Sequence, residues 1–154
     1  MAGSLISFLG ASLLNKEAVP RVVSALTPLP VTLSATGNNL SLFRLASSAA
    51  SNNAVNLLVG PGNIFSVTGR IASGSAYLKF YNTAGVPDPT TDIPEAVFPL
   101  INTIPVFQPP IPFQGLFFPL GIGMALVTGP ADNNNTAVAA GQILGLQITF
   151  QQSL

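Results

Sequence analysis

Apolar and polar residues alternate with period two through the second half of the chain, the mark of strands with one buried face. Leu144, Leu146, Ile148 and Phe150 fall on one side of the last such segment, and Gln147, Thr149 and Gln151 fall on the other. In Ala76–Tyr81, Leu78 and Phe80 point one way while Tyr77, Lys79 and Tyr81 point the opposite way. Leu120, Ile122, Met124 and Leu126 form a third row, backed by Gly121, Gly123 and Ala125, whose small size lets another chain or sheet approach closely. Val55, Leu57 and Val59, followed by Phe65 and Val67, predict a hairpin about Gly60-Pro61-Gly62-Asn63. Turn chemistry at Asn82–Gly85, Pro87–Pro94 and Gly129–Thr136 separates the strands, and no amphipathic helix of adequate length lies between them. The pattern predicts an all-β fold: an antiparallel β-sandwich, jelly-roll-like, rather than a parallel βαβ architecture.

The first fifty residues have a different texture. Leu5, Phe8, Leu9 and Leu13 have the spacing of a short helical stripe, Pro20, Pro28 and Pro30 interrupt it, and Ser47–Asn53 is a small polar run resembling a linker. Val31, Leu33 and Ala35, or Leu40 and Leu42, are candidates for an added strand. Residues 1–50 are therefore set apart as an extended N-terminal arm or an added hairpin, and 51–154 as the sandwich domain.

No ionisable side chain occurs between Glu95 and Asp132, a stretch apolar enough to suggest a membrane helix. Pro99, Pro105, Pro109, Pro110, Pro112, Pro119 and Pro130 exclude that helix, because each removes a backbone donor. Charged residues make up 6% of the chain, against roughly 25% in ordinary soluble proteins. With five basic and five acidic side chains the formal net charge is zero, which removes the repulsion that keeps small proteins apart. Self-association is expected, with a trimer favoured. Lys16, Arg21, Arg44, Arg70 and Lys79 are too scattered to displace counterions from nucleic-acid phosphates, so direct nucleic-acid binding is not expected. Met1–Asn15 has an apolar middle but no preceding Lys or Arg, and reads as mature protein rather than an export signal.

Histidine and cysteine are both absent, which removes disulfides, the usual Ser–His and Cys–His nucleophiles and most zinc sites. Asp88, Asp92 and Glu95 are the nearest approach to a paired-carboxylate site, but their Pro/Thr setting reads as a solvated turn. Asp132-Asn133-Asn134-Asn135-Thr136 has oxygen ligands at alternate positions, yet lacks the glycine and late glutamate of a calcium loop. Gly121-Ile122-Gly123 has no third glycine of a dinucleotide fingerprint. Tyr77 and Tyr81 flank Lys79 at two-residue spacing, an arrangement suited to sugar stacking or, more simply, to a polar sheet face. Neither enzymatic activity nor a cofactor or metal is expected.

Between Asn56 and Gln151 a succession of motifs carries a family likeness. It comprises Tyr77-Leu78-Lys79-Phe80-Tyr81-Asn82, Ala84-Gly85-Val86-Pro87 with the Thr90–Pro94 loop, and Gly121–Leu126. Gly129-Pro130-Ala131-Asp132 and Thr136–Gly141 complete it. In this order the motifs resemble the small virion-associated structural proteins of tailed bacteriophages. The resemblance implies a non-enzymatic β-sandwich of the particle, a capsid decoration or cement subunit on the head exterior, with a tail or baseplate accessory as the alternative address. A host-glycan-binding lectin using the Tyr77/Tyr81 face is a reading from another class. The implied partners are the major capsid protein or other virion proteins. The chain departs from the family pattern at Ile101–Phe118, which is longer and rich in Pro and Phe. Rigid prolines beside large aromatics make good anchors, so Phe107, Phe113, Phe117 and Phe118, with Leu5, Phe8 and Leu9 of the leading segment, are the expected assembly contacts.

Overall fold

The computed structural model describes residues 40–102 and 106–153, and the expectations for residues 1–39, including the arm contacts Leu5, Phe8 and Leu9, lie outside them. Among the described residues eight strands follow in order: β1 (Ser41–Ser47), β2 (Val55–Val59), β3 (Gly62–Ile71), β4 (Ser75–Asn82), β5 (Ala96–Ile101), β6 (Leu116–Phe118), β7 (Gly121–Val127) and β8 (Ile143–Gln152). They build two antiparallel four-stranded sheets, the first in order β1-β8-β3-β6 and the second in order β2-β7-β4-β5. Four of the pairings, β1 with β8, β2 with β7, β3 with β6 and β4 with β5, trace one long ribbon doubled back at the β4–β5 turn. Pairing of β8 with β3 and of β7 with β4 then completes each sheet.

The alternation read from the sequence becomes burial. Ile148 and Phe150 of β8 face inward with Val67 and Ile64 of β3, against Leu78 and Phe80 of β4 and Met124 and Leu126 of β7, in one continuous core. The Phe80 and Phe118 rings, one from each sheet, meet at 6.2 Å between centroids with a tilt of 57°. Such offset aromatic pairs add to the area term that holds sheets together.

Two local expectations are corrected. Val59 and Phe65 do not belong to one hairpin, because β2 lies in the second sheet and β3 in the first. Gly60, at φ 93°, and Pro61 instead carry the chain from one layer to the other, and Ser153 N–H bonds to the Pro61 carbonyl at 2.8 Å. Strand periodicity specifies which face is buried, not which neighbour is paired, so a short Gly/Pro link serves either connection. Leu120 is 61% exposed and precedes β7, whose seven residues are buried on both faces. Residues 41–47, where Leu40 and Leu42 are candidates for an added strand, form β1, hydrogen-bonded to β8. The polar run behind them is anchored rather than slack. Ser48 is buried, its hydroxyl donating to the Ala139 carbonyl at 2.9 Å and accepting from Ile143 N–H at 3.1 Å.

Candidate assembly surface

The Pro/Phe-rich segment divides its aromatics between core and surface. Phe107 is 5% exposed, and a two-way backbone bridge with Gly69 (2.9 and 3.3 Å) seats its ring where a Cβ at Gly69 would otherwise stand. Phe118 of β6, opposite Gly62 of β3, is fully buried. These two expected contacts are core residues instead: β6 turns alternate side chains inward at Phe118, and the isolated bridge to Gly69 seats the Phe107 ring in the apolar interior. Phe117 points the other way and is 55% exposed. Phe113 is 100% exposed, on a turn closed by Gly115 N–H to the Pro112 carbonyl at 2.8 Å. Beside the segment, Phe98, Pro99, Ile101, Phe107 and Pro109 line a shallow apolar groove of about 270 Å3. Exposed Ile101 and Val106 extend this apolar surface.

The outer face of the second sheet is covered by its own loops. Lys79, Tyr81 and Tyr77 stand opposite Ala125, Gly123 and Val127. A Cβ on Gly123 would lie 2.8 Å from Thr83 Cγ2 and 3.0 Å from Pro87 Cδ, so the close approach expected of another chain is made by the loop after β4. Lys79 is fully buried, and its Nζ donates to the carbonyl oxygens of Ala131 (2.5 Å), Asp132 (3.0 Å) and Asn134 (3.2 Å). The loop that loosely resembled a calcium site thus turns its carbonyls toward a cation that the protein itself supplies. Asn134 braces the same loop, its Oδ1 accepting from Gly129 N–H at 3.1 Å and Thr136 N–H at 3.3 Å. Burial pushes the Lys79 ammonium below its ordinary pKa, and the Asp132 carboxylate opposes that shift.

Tyr81 is 1% exposed, and among the described residues its hydroxyl has no hydrogen-bond partner. Burial pushes its pKa up to about 12, helped by the negative charges of Asp92, Asp132 and Asp88. A stacking platform for sugars needs accessible rings, and here only Tyr77 is partly open. The carboxylates are engaged as turn acceptors. Asp88 Oδ1 accepts from Thr90 N–H (2.9 Å) and Thr90 Oγ1–H (2.6 Å), and Asp92 Oδ2 accepts from Asp88 N–H (2.9 Å). The Thr90 bonds hold the Asp88 carboxyl below the usual carboxylate range. Among the described residues no group of three or more Asp or Glu side chains is placed to hold a metal ion.

Sequence reading found the exposed Phe113 and Phe117 but missed the apolar surface at Ile93 (77% exposed) and Val86 (65%). Isolated β-branched residues inside Pro/Thr/Asp turns carry no periodic signal, so nothing in the sequence marked them. No family model, curated protein or solved structure matches the chain.

Proposed function

We propose that this chain is a non-enzymatic structural subunit of a bacteriophage particle, bound to the outside of the capsid shell as a decoration or cement protein. The observation that carries the reading is the exposure of large apolar side chains on a nearly uncharged exterior: Phe113, Phe117, Ile93, Leu120 and Val86 all lie open on a folded sandwich. Several large apolar side chains left open on a protein with so little charge point to interfaces. Two further features support it. The doubled-ribbon strand order fits a jelly roll, an architecture used by viral shell proteins as well as by lectins. The motif succession from Tyr77 to Gly141 resembles phage virion proteins. The mechanism is mechanical: each subunit that binds only the assembled shell stabilises it by mass action.

The test is quantitative proteomics on purified particles. A copy number that scales with the shell lattice is the expected result, whereas a handful of copies assigns the chain to the tail or baseplate. Absence from particles overturns the reading. The lectin alternative requires glycan binding that is lost on Tyr77→Ala.

A further inference from the structure

The two exterior faces of this sandwich carry opposite charge. In the first sheet, Arg44 on β1 stands across from Gln147 on β8, which stands across from Thr68 on β3, and Arg70 follows two positions along β3. Both arginines are exposed, and among the described residues neither has an ion-pair partner. Leu42 (60% exposed) and Phe117 (55%) share that outward face, and no described carboxylate lies on it. The described acidic residues all belong to the other side. Asp88 and Asp92 sit in the loop that covers the second sheet, Asp132 in the loop held by Lys79, and Glu95 next to the Phe80 carbonyl that its N–H bonds at 2.8 Å. The charges of Asp88, Asp92 and Asp132 all act on Tyr81, which points outward from that sheet. Ile93 and Val86 supply exposed apolar surface among them.

We propose that these faces are the two halves of one contact between copies of this chain, the Arg44/Arg70 face of one copy seating on the acidic-loop face of the next. Each half offers charge of one sign beside exposed apolar residues, and the signs are complementary. A symmetric pairing of either face with itself would set like charges together, which disfavours it. Nucleic acid is a poor occupant, because two guanidinium groups replace few counterions. A contact between unlike faces is heterologous: it closes into a ring or continues into an array, according to the rotation per step. The inference rests on reading the chain as an assembly subunit and names the partner as a second copy.

The experiment uses full-length chain in sedimentation velocity across a salt series. Self-association at low ionic strength that weakens at least tenfold at high salt is expected, because contacts between exposed charges are screened. Arg44→Glu/Arg70→Glu and Ile93→Lys/Glu95→Lys change only exposed side chains; each alone should associate at least tenfold more weakly, and an equimolar mixture should regain association. Should a reversed pair fail to fold by circular dichroism, Arg44→Gln/Arg70→Gln takes its place and the same tenfold weakening is expected. Salt-insensitive association, variants that associate like the unmodified chain, or folded variants that do not rescue one another overturn the contact. Incorporation is scored separately. Arg44→Glu/Arg70→Glu chains entering particles at the normal copy number overturn the contact while the particle reading stands. Swap-rescued association by a chain absent from particles upholds the contact and removes the particle.

Discussion

Lys79 Nζ donates to the Ala131 carbonyl oxygen at 2.5 Å, tying β4 to a residue fifty-two positions further along the chain. With Asp132 and Asn134 accepting from the same ammonium, the loop after β7 is folded around a single cation. Replacing it by an apolar residue of similar length leaves three carbonyls without their donor. Lys79→Met is expected to lower unfolding stability by about 2–3 kcal/mol, the range for hydrogen bonds to a charged group. Urea denaturation measures the loss, and hydrogen exchange should speed up selectively over residues 129–136. Unchanged exchange there would show that the loop holds itself.

Tyr81 has the opposite balance, because its buried hydroxyl meets no partner among the described residues. Tyr81→Phe removes the unsatisfied group and keeps the ring, so stability at neutral pH is expected to rise by about 1 kcal/mol. A loss of stability in the same denaturation experiment contradicts this.

Alkaline pH separates the two side chains. The Tyr81 phenol is raised from 10.0 to about 12, so between those values the folded chain keeps a proton that the unfolded chain has released. Stability therefore falls as pH rises through this window, by about 2–3 kcal/mol in all. Lys79 works the other way. Its pKa is lowered from 10.5, so the folded chain releases that proton first and stability rises with pH up to 10.5. The urea midpoint should drop steeply above pH 10 in the unmodified chain and less steeply in Tyr81→Phe, while Lys79→Met should lack the preceding rise. Superimposable profiles for the three proteins would refute both assignments.

Two phenylalanines five residues apart should respond in different currencies. Phe118→Ala opens a hole in the core beside Phe80 and is expected to cost about 3–5 kcal/mol of stability. Phe113→Ala removes a ring that touches solvent all round, so stability should change by less than about 0.5 kcal/mol. Its effect should appear instead as reduced retention on particles, measured by pelleting after a brief dilution.

Much of the sandwich was legible because alternation maps directly onto burial. The inward row of β8 (Leu146, Ile148, Phe150) and that of β4 (Leu78, Phe80) are buried as their spacing required. Pairing was less legible. β2 and β3 are neighbours in sequence but lie in different layers, a choice made by β7 and β8 far along the chain. β5 was hidden because Pro99 interrupts its apolar run, a residue tolerated there because β5 is an edge strand. At the candidate surface, composition identified the Phe-rich segment but could not divide it, because the short β6 alternates Phe117 outward and Phe118 inward. The burial of Lys79 left no trace in the sequence, since its partners are backbone carbonyls that every residue possesses.

The position of β8 has a consequence for synthesis. It is the strand that joins β1 to β3, yet it is translated after both and after the other described strands. Until a ribosome has released Ile143–Gln152, the nascent first layer is split into two halves with unpaired backbone on facing borders. Closure of that gap is a late event, and a messenger broken before it would yield fragments prone to sticking to one another.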